Sequence, residues 1–500
     1  MFELFVVGFA SVLNLKIMFL IILGVGVGIV FGAIPGMTAT MAVALCLPLT
    51  FGMSPVEGMS LLVALYIGGV SGGLISAILL KIPGTPSSIA TCFDGHPMAA
   101  NGQAGKALGA GIVFSFLGGL FSIAALIFIA PPLAEFALRF GPFEYFSIAI
   151  FSLTMISSLS GDSLAKGLLT GMIGMAIATV GSAPIDSYPR FTLGFSELDA
   201  GFDLLPALIG LFAISEILKT AETKLTLKKD EIRDYSIQGF GFTMKEFVGQ
   251  TWNLIRSSII GTGIGILPGI GGGTSNIISY LAAKNQSKYP EKFGTGILDG
   301  IVASETANNA SVGGALIPLL TLGIPGDTVT AMLLGGLMIH GLMPGPLLFQ
   351  TSGELVYGIF AALLISNVVM LIMEFFGMRA FVRLLSIPKH LLLPIIISLC
   401  VVGSFALNNR VFDVWSLLFF GLLGYILDKF KYPLSPIILG FILGPIAETN
   451  LRRGLMMSSG SFVPFLTKPI SAVFLLIAVL SITLTVRNNF KKAKAARTIA

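Results

Sequence analysis

Long apolar stretches interrupted by Pro-Gly, twice over at matched positions, constrain this chain more than any other feature. The first set is Gly32-Ala33-Ile34-Pro35-Gly36, followed by Lys81-Ile82-Pro83-Gly84-Thr85-Pro86-Ser87-Ser88. The second is Gly265-Ile266-Leu267-Pro268-Gly269, followed by Gly323-Ile324-Pro325-Gly326-Asp327-Thr328. Proline lacks a backbone N–H and clashes with the preceding turn, and glycine loses more backbone entropy than any other residue when fixed, so the pair suits a helix interior poorly. The setting is a membrane: 55% of the 500 residues are hydrophobic and 11% charged, where a soluble chain carries roughly 25% charged residues. In hydrocarbon, main chain freed by a break must find partners in protein or in a wet cavity. Interrupted segments at corresponding places in two halves of such a chain point to the binding site of a transporter.

The halves superimpose by arithmetic. Gly32 to Gly265 is an offset of 233 and Pro83 to Pro325 one of 242; the difference of nine is the length of the hydrophilic stretch Lys284 to Lys292. Beyond that insertion Phe293-Gly294 aligns with Phe51-Gly52, Asp299-Gly300 with Glu57-Gly58, and the run Val312 to Ile317 with Val70 to Ile75. An internal duplication accounts for this. The expected organisation is a first membrane repeat with its lead over 1–218, a charged cytoplasmic linker over 219–249 holding Lys224, Lys228, Lys229 and Arg233, and a second repeat over 250–448. A final span and a basic tail (Arg487, Lys491, Lys492, Lys494, Arg497) fill 449–500. Lys and Arg favour the cytoplasmic side, which places linker and C-terminus inside. A second repeat that starts inside must then end outside, so that the unpaired last span can return. It crosses an odd number of times, and its tandem copy is inverted. The fold expected is all-α: a polytopic membrane protein of about 10–12 spans with two inverted repeats, whose broken helices or re-entrant hairpins meet near the midplane.

At the breaks, helix N-termini present unpaired N–H groups that suit an anion, and unwound carbonyls and hydroxyls suit a cation. The candidate substrate-binding residues are Gly36, Thr38, Thr40, Gly84, Thr85, Pro86, Ser87, Ser88, Gly272, Gly273, Thr274, Asn308, Asn309, Gly326, Asp327 and Thr328. Candidates for ion coupling are Thr85, Ser88, Asn276, Asn308, Asp327 and Thr330. Blander roles stand beside these. Glycines such as Gly68, Gly69, Gly72, Gly73, Gly313 and Gly314 permit close helix packing. Asn308 and Asn309 could simply bridge helices. Lys81 either snorkels or serves as a countercharge, and Asp327 could coordinate a cation, accept a proton or cap the following helix. Glu57 and Asp299 read as loop or cap residues, and His96 and His340, in Gly/Pro-rich turns, as structural.

Several chemistries are excluded. Cys46, Cys92 and Cys400 form no C-x-x-C, and His96, His340 and His390 form no ligand cluster, so neither a disulfide framework nor a metal site is indicated beyond a transported sodium ion. Gly265 to Gly272 follows no strand, and Asn101 to Ala107 lacks the earlier glycine and the Ser/Thr of a phosphate-binding loop. No cofactor and no nucleic-acid partner are expected. Without a nucleotide motor, uphill transport must draw on an ion gradient, of sodium or of protons. The first apolar run continues into the break without a small-residue cleavage site, as a retained helix does.

The run Gly32 to Gly36, the run Lys81 to Ser88 with Phe93-Asp94-Gly95-His96-Pro97-Met98-Ala99, and Gly323 to Thr328 with His340-Gly341-Leu342-Met343-Pro344-Gly345-Pro346 together resemble the large membrane subunit of the tripartite tricarboxylate transporter family, TctA type. The resemblance covers residues 15–445. It implies a bacterial inner-membrane permease that works with a small membrane subunit and a periplasmic substrate-binding protein. It also implies ion-driven uptake of carboxylates: tricarboxylates, dicarboxylates or aromatic acids. A single-component symporter of the same architecture is the near alternative; a membrane-embedded enzyme or scaffold is the distant one.

Overall fold

The computed structural model describes residues 2–159, 163–222, 241–384 and 389–499. The first half of the chain folds as α1 (Phe2–Val12), α2 (Leu15–Ala33), α3 (Ala39–Cys46), α4 (Pro55–Leu80), α5 (Thr91–Met98), α6 (Ala104–Ala137), α7 (Pro142–Leu159), α8 (Leu164–Ala178), α9 (Leu204–Ile209) and α10 (Ser215–Glu222). A two-residue antiparallel hairpin, β1 (Gly181–Ser182) with β2 (Pro189–Arg190), lies between α8 and α9. The second half folds as α11 (Met244–Gly249), α12 (Thr251–Ile266), α13 (Gly271–Gln286), α14 (Leu298–Leu322), α15 (Thr328–Ile339), α16 (Leu348–Thr351) and α17 (Gly353–Leu384). It ends with α18 (Lys389–Asn408), α19 (Val411–Lys429), α20 (Ser435–Met457), α21 (Val463–Thr467) and α22 (Pro469–Ile499). The expected linker charges Lys224, Lys228, Lys229 and Arg233 lie outside the described residues, as do the side chains of His390, Lys491, Lys492, Lys494 and Arg497.

The fold is that of an all-α polytopic membrane protein. Among the described residues seven helical segments are long and apolar enough to cross a bilayer, and shorter apolar helices include Ala39–Thr50, Ala165–Ala178, Thr328–Ile339 and Leu393–Asn408. Packing groups the chain differently from its halves. One unit comprises Met1–Glu135 and Phe212–Arg410, the other Phe136–Leu211 and Val411–Ala500, so each half contributes to both. In the second unit α8 packs so closely on α20 that a Cβ on Gly174 would overlap the Ile437 carbonyl, and one on Gly440 that of Gly171. Arg190 ties the hairpin to α20 through both Glu448 carboxylate oxygens, at 2.6 and 3.2 Å.

The first unit is built on two helices with no face left for lipid. Every residue of α4 from Gly58 to Leu79, and of α14 from Gly300 to Thr321, is buried. Local signals place both. Ser54 and Glu57 form a capping box ahead of α4, with Pro55 in its first turn. Left-handed residues end both helices, Lys81 at φ 58° and Gly323 at φ 73°, which correspond under the offset of 242. Pro35 and Pro268 stop α2 and α12, and the left-handed Gly36 and Gly269 that follow them correspond under the offset of 233.

The same correspondence runs through the packing. A Cβ on Gly28 would collide with the Leu65 carbonyl and one on Gly261 with that of Ala307; Gly32 meets Gly69 O and Gly73 N, and Gly265 meets Ser311 O and Ala315 N. Gly84 folds back on the Gly32 carbonyl beside Gly73, and Gly326 on the Gly265 carbonyl beside Ala315. Each pair maps onto the other through the two offsets, with glycine wherever main chain must touch main chain. We expect Gly84→Ala and Gly326→Ala each to cost about 1–3 kcal/mol, as overpacking does, read by thermal unfolding of purified protein. Gly263→Ala, where an added Cβ meets nothing within 4 Å, serves as the neutral control.

Candidate functional site

The two sets of breaks exchange contacts. Thr40 on α3 and Thr328 at the start of α15 share a hydrogen bond of 2.9 Å between their hydroxyls. Their counterparts under the offsets are Gly273 and Pro86, and these also face each other, a Cβ on Gly273 standing 3.7 Å from Pro86 Cβ. The amide of Asn276 donates to the Ser87 carbonyl. A Cβ on Gly272 would lie 2.8 Å from Asn308 Oδ1, 3.0 Å from Ser311 Oγ and 3.1 Å from Ser87 Cβ. The first break of each half therefore sits on the second break of the other.

Helix termini set the polarity here. Thr38 caps α3 by accepting the Met41 N–H at 3.2 Å. Asp327 and Thr330 form a capping box on α15, with Thr330 N donating to Asp327 Oδ1 at 2.7 Å and Asp327 N to Thr330 Oγ1 at 2.8 Å. At the equivalent turn Pro86–Ser88, Thr85 N donates to Ser88 Oγ at 3.3 Å and Ser88 Oγ to the Thr85 carbonyl at 2.9 Å. The start of α13 differs: its N-cap is Ile270, which supplies no side-chain acceptor, and Gly272, Gly273 and Thr274 of its first turn are partly exposed. Main-chain N–H groups in a first turn have no partner within the helix, and the helix dipole puts partial positive charge on them. Beside them Asn276 Oδ1 and Asn308 Oδ1 are buried and accept no hydrogen bond among the described residues. An uncapped helix start thus lies next to carbonyl oxygens without a partner among the described residues.

Not every candidate joins this cluster. Asn308 reaches across to the first half, its amide donating to the Val70 carbonyl at 3.2 Å, whereas Asn309 donates to Glu305 O on its own helix and its carbonyl lies against Ser122 of α6. Gly36 forms the turn between α2 and α3, and its carbonyl accepts from Thr220 Oγ1 at 3.3 Å. Gly84 and Gly326 are packing contacts, as above. Lys81 is exposed at the end of α4, and His96 holds the Ile78 carbonyl at 3.2 Å.

Of the other buried polar groups, the sequence names Glu305 without settling its role and does not single out Tyr66 or Glu374. Tyr66, buried on α4, donates to Asp327 Oδ2 at 2.5 Å, so a hydroxyl from the first half holds the carboxylate of the second. Glu305 is fully buried on α14 and accepts from Thr91 and from Ser115 Oγ, the latter at 3.0 Å. Glu374 is fully buried on α17; Oε2 accepts from Ser71 at 2.9 Å, and Oε1 has no partner among the described residues. The signal for Glu374 was a lone carboxylate in the apolar run 355–378. Asp94 takes three main-chain amides, Gly294, Gly296 and Ile297, at 2.8–3.0 Å, and the Tyr280 hydroxyl at 2.9 Å.

Paired helix breaks around a buried polar set in an all-α polytopic chain are the arrangement of a membrane transporter. Residues 18–439 match the family described as "Tripartite tricarboxylate transporter TctA family", and the chain belongs to that family, which is one of transporters and not of enzymes. Among similar proteins is an uncharacterized 52.8 kDa protein of the TAR-I ttuC' 3' region of Agrobacterium vitis, 34% identical over 471 residues, with 94% of this chain and 93% of that protein covered. An uncharacterized protein of the TAR-II ttuC' 3' region of the same organism is 37% identical over 234 residues, covering 47% of this chain and 97% of that protein. No solved structure matches.

Asp94→Ala should leave the loop 294–297 short of its acceptor and cost about 1–3 kcal/mol, the usual penalty for amides stripped of a partner. Thermal unfolding measures this, with increased proteolysis near Gly294 as the local readout.

Proposed function

We propose that the chain is the permease of an ion-coupled carboxylate uptake system in a bacterial inner membrane. It acts with a small membrane subunit and a periplasmic binding protein, and its C-terminus is cytoplasmic. The observation that carries this reading is the start of α13, where the uncapped amides of Gly272 and Gly273 adjoin the unpaired oxygens of Asn276 and Asn308. The amides bind a substrate carboxylate. The neutral oxygens Asn276 Oδ1 and Asn308 Oδ1, with Ser87 beside them, take sodium, a hard cation that favours such ligands. Cation and carboxylate then neutralise each other in a place where either alone would carry a heavy desolvation cost.

The reciprocal contacts Thr40–Thr328 and Gly273–Pro86 support a two-fold relation between the halves, and odd-crossing copies in tandem make that relation inverted. Thr85, Ser88 and Thr330 act on this reading by capping the turns that hold the site, and Asp327 by anchoring α15 to Tyr66.

Uptake of labelled citrate, smaller dicarboxylates and an aromatic acid into proteoliposomes, with sodium and pH gradients imposed separately and the binding protein present or withheld, tests this. Asn308→Leu and Asn276→Leu should each lower sodium-driven uptake about five- to a hundredfold, the equivalent of about 1–3 kcal/mol for one lost polar partner. Glu374→Gln should retain the sodium response. Wild-type uptake in both site variants would remove the assignment, and a Glu374→Gln protein that has lost only its pH-gradient response would move coupling to that carboxylate.

A further inference from the structure

Where α12 begins and α13 ends, the first unit holds a cavity of about 360 Å³ away from the helix breaks. Its walls include Trp252, Asn253, Arg256, Gln286, Lys288 and Tyr289. Arg256 is half-buried in it, and its guanidinium is held by neutral groups: Nη1 donates to Gln286 Oε1 at 3.1 Å and Nη2 to Asn253 Oδ1, while Nε is buried without a partner among the described residues. Asp299, also on the wall, accepts from Gln250 Nε2 at 3.0 Å and acts on Arg256 only through its charge, with no ion pair between the two among the described residues. Two basic side chains against one carboxylate leave the cavity positive. Trp252 and Tyr289, which line it, are 66% and 53% exposed, and Ile255 and Ile259 of α12 are exposed beyond Trp252. Indole and phenol rings favour the headgroup level of a bilayer, and a guanidinium presented by neutral acceptors retains its charge for an incoming phosphate.

We propose that this cavity is an anion site that takes the phosphate of an acidic phospholipid headgroup. The apolar face beside Trp252 accommodates the acyl chains, and Arg256 with Lys288 binds the phosphodiester. Basic pockets between membrane helices recognise acidic headgroups in this way. The site is separate from the carboxylate site, and its test does not depend on transport.

The chain has two tryptophans, Trp252 and Trp415, so Trp415→Phe leaves a single emitter on the cavity wall. In detergent, brominated phosphatidylglycerol should quench Trp252 at a concentration about five- to thirtyfold lower than brominated phosphatidylcholine. Arg256→Gln should abolish that preference. Lys288→Gln, at an exposed position that folding tolerates, should reduce it severalfold and decides the matter if the arginine variant does not fold. Equal quenching by the two lipids, or a preference untouched by either variant, overturns the site. Relief of quenching by millimolar inorganic phosphate would keep the anion site and overturn its assignment to lipid.

Discussion

A main chain that stops being helical inside a membrane has nowhere to send its polar groups except into protein, and the first unit is arranged to meet that demand. Pro35 and Pro268 end their helices within apolar sequence, and the returning segments at Gly84 and Gly326 lie directly on the carbonyls of Gly32 and Gly265. Contact this close requires glycine on the returning segment, where a Cβ would overlap the carbonyl. The crossing helices α4 and α14 are buried on every face as a consequence. That burial in turn lets α14 carry Glu305, Thr306, Asn308, Asn309 and Ser311 at membrane depth, since none of them meets lipid.

The duplication has kept its geometry and changed its chemistry. Thr85 and Asp327 occupy one place in the two copies, as do Tyr66 and Asn308, and Thr38 and Gly271. One copy supplies hydroxyls and a capped helix start; the other supplies a carboxylate, an asparagine and an uncapped glycine run. A symmetric pair of tips would present like groups to like groups. The diverged pair sets an uncapped helix start beside asparagine oxygens, the juxtaposition on which the proposed site rests.

Much of this was legible in the sequence, because breaks and their offsets are local features. The positions of the helix ends, the matching turns at Lys81 and Gly323, and the meeting of Thr40, Ser87, Asn276, Asn308 and Thr328 follow from Pro, Gly and the alignment. Family membership was legible as well, since several short motifs recur together. The partition into two units was not, because interleaving 1–135 with 212–410 depends on contacts between residues far apart in the chain. Nor was the difference between Asn308 and Asn309: adjacent helical residues point about 100° apart, and which of them faces the other half depends on the rotation of α14. Tyr66 escaped notice because a tyrosine in an apolar helix looks like core until its acceptor, Asp327, is brought to it. Asp94 was read only as part of a family motif, and its work lies 200 residues downstream.

That reach sets the two copies apart. Asp94 belongs to the first copy, yet it gathers the loop after the nine-residue insertion of the second. Its counterpart under the offset of 242 is Gly336, which has no side chain to return the grip. Here the bracing runs one way, the first copy supplying the carboxylate and the second the amides, so at this contact the two halves are not interchangeable.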